Sequence, residues 1–187
     1  MQKPSDFETA QVAGNIELLP VGVYKCKIMK AEPMTSSNGK EFLKIAFDID
    51  EGEYKDFYKK KYQNDTRTME EKKWSGIWNV FVLDYNGNTS KYFKGLVTCV
   101  ETSNPDFKFD FNKPELLKDK KIGIVFREEE FEGMTGEIFT SVKAFRACPY
   151  DKTEEQQIPR KKEFKREDGS LDAFATTATN DDLDLPF

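Results

Sequence analysis

Between Glu41 and Asp50 the chain alternates without a break. Leu43, Ile45, Phe47 and Ile49 fall on one side of an extended backbone, and Phe42, Lys44, Ala46 and Asp48 on the other. A period of two marks a strand with one face buried, because successive side chains point to opposite faces. The stretch from Val21 to Glu32 repeats the pattern, with Tyr24, Cys26 and Ile28 set against Lys25 and Lys27. Ser36, Ser37, Asn38 and Gly39 break the chain between the two.

Residues 1–20, ahead of these two strands, are polar and loosely held. After a turn at Glu51-Gly52-Glu53, a third strand is expected over about Tyr54–Tyr62, and a loop over 63–73. Residues 74–85 are apolar and β-prone, and suit either a strand or a short helix. Thr89 or Ser90 can cap a helix reaching to about Thr102, with Phe93, Leu96, Val97 and Val100 as its apolar stripe. Two more strands are expected at about 120–128 and 137–147. The expected order is strand, strand, strand, helix, strand, strand. That order suits a mainly β fold, the OB-fold, a five-stranded Greek-key barrel with one helix between strands three and four. An unrelated small α+β domain shares it.

Two domains are expected, 1–148 folded and 149–187 a flexible acidic tail. From Pro149 on, charged, Gln, Thr, Ser and Ala residues dominate, and few large apolar groups remain to offset ordering entropy. The formal charge of -5 is unevenly spread. Residues 149–187 hold 6 Lys/Arg and 10 Asp/Glu, whereas residues 55–73 hold 7 and 4. A basic stretch thus sits in a near-neutral domain with an acidic tail.

That basic stretch is also aromatic. Tyr58, Lys59, Lys60, Lys61 and Tyr62 precede Arg67, Lys72, Lys73, Trp74 and Trp78. Lysine and arginine meet a phosphate chain by charge and counterion release, and rings stack on unpaired bases. The pattern points to single-stranded nucleic acid, with Tyr58 and Tyr62 as stacking platforms around Lys60. Phe42 and Lys44 would extend the surface onto the second strand. A core position for the tyrosines, and for either tryptophan, is the competing reading. Glu128-Glu129-Glu130 is read as a solvated acidic hairpin.

Nothing in the sequence makes a convincing enzyme, and no cofactor is expected. There is no histidine, no phosphate-loop motif and no nucleophile elbow. Asp48, Asp50, Glu51 and Glu53 are read as a solvated strand end and turn rather than a metal site. Cys26, Cys99 and Cys148 are widely spaced and odd in number, which fits reduced thiols in a cytoplasmic protein better than a disulfide framework. No run of apolar residues approaches the length of a membrane span.

The chain ends in Asp181, Asp182 and Asp184 around Leu183, then Leu185, Pro186 and Phe187. An acidic run before a stiff apolar anchor and a free carboxylate suits capture in a basic, partly apolar pocket on another protein. This tip resembles the C-terminal peptide of bacterial single-stranded DNA-binding proteins, with Leu183 as a departure inside the acidic run. The resemblance implies recruitment of replication, repair and recombination proteins. The body of the chain resembles small single-stranded DNA-binding proteins of phages and prophages of Gram-positive bacteria. The carrying stretches are LPVGVYKCKI at 19–28, FLKIAFDIDEGEYKDFYKKKY at 42–62, YFKGLVTCVETSNPDFKFD at 92–110 and KDKKIGIVFREEEF at 118–131. What it implies is sequence-tolerant binding and protection of single-stranded DNA in phage replication or recombination. The rival expectation is a protein-interaction adaptor, or an acidic decoy, that never touches DNA.

Overall fold

The alternation at 41–50 builds the centre of one antiparallel sheet. The computed structural model describes residues 2–5, 7 and 18–165. Its strands are β1 (Val23–Thr35), β2 (Glu41–Ile49), β3 (Ile77–Phe81), β4 (Lys121–Glu132) and β5 (Ile138–Cys148). Its helices are α1 (Phe57–Asn64) and α2 (Lys91–Ser103). The sheet order is β3-β2-β1-β4-β5, and every pairing is antiparallel. The sheet is not closed: β3 and β5 lie at its two ends and approach one another without pairing.

The buried face agrees with the sequence pattern. Leu43, Ile45, Phe47 and Ile49 of β2 are buried with Cys26 and Ile28 of β1 and with Ile122, Ile124 and Phe126 of β4. The apolar stripe of α2 closes one side: Phe93, Leu96 and Val100 are buried, and the helix packs on β4 and β5. Burial of such side chains stabilises a domain by roughly 1.5–3 kcal/mol each.

Two expectations are corrected. The stretch expected as a third strand, Tyr54–Tyr62, is a turn and then helix α1. The third strand comes instead from within the apolar run at 74–85, as β3. The tail expected to be flexible from Pro149 is packed as far as Lys165. Tyr150 and Thr153 are buried, and the Tyr150 hydroxyl donates to Asp50 at 2.7 Å. The Tyr150 ring sits beneath the ammonium groups of Lys121 and Lys25, at 4.7 and 5.2 Å from its centroid. Gly123 permits this approach, since a Cβ there would stand 2.5 Å from Cys148 Sγ and 2.9 Å from Thr153 Cγ2. Further on, Lys162 pairs in parallel with β4: its N–H donates to Glu128 O at 2.8 Å and its C=O accepts from Glu130 N–H at 2.9 Å. Among the described residues, no helix is long and apolar enough to cross a membrane.

Candidate nucleic-acid interface

Where β3 and β5 fail to pair, a groove of about 1530 Å³ opens. On one bank the outward residues of β2 and β3 stand in register: Phe42 opposite Phe81, Lys44 opposite Asn79, Ala46 opposite Ile77. The rings of Phe42 and Phe81 lie 5.3 Å apart, tilted by 36°. On the other bank are Phe131, Lys143 and Phe145 of the β4–β5 hairpin, with the basic segment Arg160-Lys161-Lys162 behind them. Half-exposed rings and cations thus share one channel, the pairing of groups that a single strand requires.

The glutamates of the hairpin are not the solvated edge expected. The Glu129 side chain is only 13% exposed and meets Arg127 at 2.8 Å and Lys143 at 3.5 Å. Glu130 binds Lys161 at 2.6 Å and accepts the backbone N–H of Phe164 at 3.1 Å. Those contacts, Lys161 first, hold the Glu130 carboxyl below its ordinary pKa and raise that of Lys161. The acidic stretch therefore anchors the basic segment beside the groove. That segment, PRKKEFK at 159–165, was legible as a charge run but lay inside the stretch read as a linker.

The structure divides the other residues expected to touch nucleic acid. Tyr58 is in the core, edge-on to Phe47 at 5.3 Å and to Phe57 at 5.2 Å, and burial raises its phenol pKa. Trp78 points inward from β3 and is 6% exposed. Neither offers a ring face on the surface, so both expectations are corrected. Lys59, Lys60 and Lys61 form an exposed basic face on α1, with Lys60 Nζ donating to Lys55 O at 2.9 Å. Tyr62 is half-buried against Trp74, ring centroids 6.0 Å apart, with the Lys72 ammonium 5.7 Å from the tyrosine centroid. Trp74 is fixed by its indole N–H, which donates to Phe47 O at 3.1 Å. Lys73 is exposed. Arg67 is occupied by Asp65, at 2.6 Å and 3.0 Å, a pairing that drops the Asp65 pKa to about 2. Phe42 and Lys44 thus belong to the groove, while α1, Tyr62 and Trp74 form a second basic and aromatic ledge. Ser75 and Ile77 carry the groove wall toward that ledge.

The carboxylates at the end of β2 have structural tasks. Asp48 accepts the backbone N–H groups of Ile49, Tyr58 and Lys59 at 2.9, 2.9 and 3.0 Å. Burial pushes its pKa up, against those three hydrogen bonds. Asp50 receives Tyr150, and Glu51 meets Lys25 at 3.2 Å. Among the described residues no group of three His, Cys, Asp or Glu is placed to hold a metal. The partner-binding tip, Asp181 to Phe187, lies outside the described residues.

Among curated proteins, none matches the chain. Residues 5–80, less than half of the 187, match a family described only as "Protein of unknown function (DUF669)"; the match takes in β1, β2, α1 and nearly all of β3.

Proposed function

We propose that this protein binds single-stranded DNA with little sequence preference along the groove between β3 and β5, and recruits partner proteins through its C-terminal tip. The observation that carries the reading is the groove itself. It sets the Phe42–Phe81 ring pair and Lys44 across from Phe131, Lys143 and the basic segment at 160–162. At about 1530 Å³ it exceeds the usual size of a small-molecule pocket, which runs from roughly 300 to 1,000 Å³, and suits a polymer. Rings supply sequence-tolerant stacking, and lysines supply the salt-sensitive attraction to phosphates.

The fold supports the same reading. A strand order of β3-β2-β1-β4-β5 with α2 between β3 and β4 corresponds to an OB barrel opened between β3 and β5. Binding rather than catalysis is then the task of the domain. The resemblance of the sequence to phage and prophage single-stranded DNA-binding proteins assigns the work to phage replication or recombination inside the host cytoplasm, with host or phage replication and repair proteins as partners of the tip.

Fluorescence titration with oligo-dT tests this directly. The expected result is quenching of Trp74 emission on binding, with an affinity that falls as salt rises. Absence of binding at low salt would leave the adaptor reading in its place.

A further inference from the structure

A second, smaller pocket of about 400 Å³ lies between the start of α2 and the last residues of β5. Lys91, Arg127 and Arg146 give its wall three cations, Tyr92 and Phe145 give it two rings, and no carboxylate lines it. In a chain of formal charge -5 this is a local inversion of sign. The first turn of α2 forms part of the wall, so the positive end of the helix dipole acts in the same sense.

Arg127 is the unusual member. Its side chain is 7% exposed, its guanidinium carbon stands 4.0 Å from the Phe145 ring centroid, and its Nη2 donates to Glu129 at 2.8 Å. Tyr92 holds Phe145 from the edge, ring centroids 5.4 Å apart. The buried Arg127 Nε–H has no acceptor. A buried donor without a partner is a standing cost that an added acceptor removes. Guanidinium is also the side chain best matched to the oxygens of a phosphate.

We propose that this pocket binds a phosphate group, with Arg127 as the buried donor and Lys91 and Arg146 as the flanking charges. The source of the phosphate rests on the nucleic-acid reading above. Tyr92, Arg127 and Phe145 also line the groove, so a strand lying there brings a backbone phosphodiester to the pocket. A terminal phosphomonoester offers the same chemistry.

The Arg127 Nε–H resonance of the ¹⁵N-labelled full-length protein reports on the pocket. Inorganic phosphate is titrated against sodium chloride at matched ionic strength. The expected result is a saturable shift with phosphate and none with chloride. Lys91→Gln, which removes an exposed charge and leaves the core intact, should weaken the midpoint by about fivefold. A resonance unmoved by phosphate, or moved equally by chloride, overturns the proposal. Oligo-dT with and without a 5′-phosphate then separates the two sources: a shift with both assigns a backbone phosphate, and a shift only with the phosphorylated strand assigns an end. If oligo-dT binds and leaves the resonance in place, the pocket proposal falls and the nucleic-acid reading stands. If phosphate moves it and no oligonucleotide binds, the anion site stands alone.

Discussion

The Asp48 carboxylate on β2 accepts the backbone N–H of Tyr58 on α1 at 2.9 Å, ten residues further along the chain. It takes the N–H of Lys59 as well, at 3.0 Å. The residue in the local N-cap position, Asp56, has a left-handed backbone (φ 60°) and makes no side-chain cap. A strand residue thus does the work that a local cap normally does for the first turn of a helix. Asp48→Ala should cost about 1–3 kcal/mol, because buried donors are left unsatisfied. Asp48→Asn keeps one acceptor and should cost less. Urea unfolding measures both, and an Asp48→Ala chain as stable as the wild type would remove this cap from the account of α1.

Phe81 and Tyr58 should separate binding from stability. Phe81→Ala removes a half-exposed ring from the groove and should weaken oligo-dT binding by about 1–3 kcal/mol, the range for one stacked base. Tyr58→Ala opens a hole against Phe47 and Phe57 and should cost about 3–5 kcal/mol of stability. Titration and thermal unfolding on the same two variants decide it. A Phe81→Ala chain that binds as tightly as the wild type would move the path of the strand away from the groove.

Acid should release the basic segment beside the groove. Lys161, and then the Phe164 N–H, hold the Glu130 pKa below its ordinary value in the folded chain. A carboxylate depressed in this way contributes stability above its unfolded pKa and loses it as pH falls through the folded one. Amide exchange at Lys162 and Glu130, corrected for the intrinsic rate, should accelerate as pH drops below the ordinary glutamate range. Glu130→Gln should abolish that dependence. Equal pH profiles for the two chains would show that other contacts hold the segment.

Truncation should separate the contribution of residues 149–165 from that of residues 166–187. Cutting after Cys148 removes the buried Tyr150 and Thr153, and with them the hydrogen bond to Asp50, so it should lower stability. Loss of one buried aromatic of this kind is typically about 3–5 kcal/mol. Cutting after Lys165 leaves every described contact in place and should leave the melting temperature unchanged. Identical melting temperatures for the two truncations would return Tyr150 to the linker.

Deleting Phe187 should abolish partner binding and spare DNA binding. An aromatic anchor at a chain end commonly reaches hot-spot size, about 2 kcal/mol or more. Asp181, Asp182 and Asp184 to Asn should instead slow association and flatten its salt dependence, since exposed charges mainly steer encounter. Calorimetry against replication and repair proteins is the measurement. Partner binding that survives the deletion would take the tip out of the mechanism.

The sequence by itself determined the half-buried strands and α2. Alternation at 41–49 and the apolar stripe at Phe93, Leu96 and Val100 are local patterns, each tied to one backbone period. It also placed Phe42 and Lys44 on the outward side of β2. It did not determine the state of 57–64. Tyr58 and Tyr62 are four residues apart, a spacing that puts two side chains on one face of a strand and of a helix alike. What decided for helix was a cap from another element, Asp48, which no local pattern reveals. The same holds for PRKKEFK at 159–165: its composition reads as solvated chain, and its order comes from Glu128 and Glu130 on β4, more than 30 residues away. Only the tertiary structure decided which aromatics stack in the core and which face the groove. Ring burial depends on what the opposite strand presents, and a single strand's alternation does not carry that information.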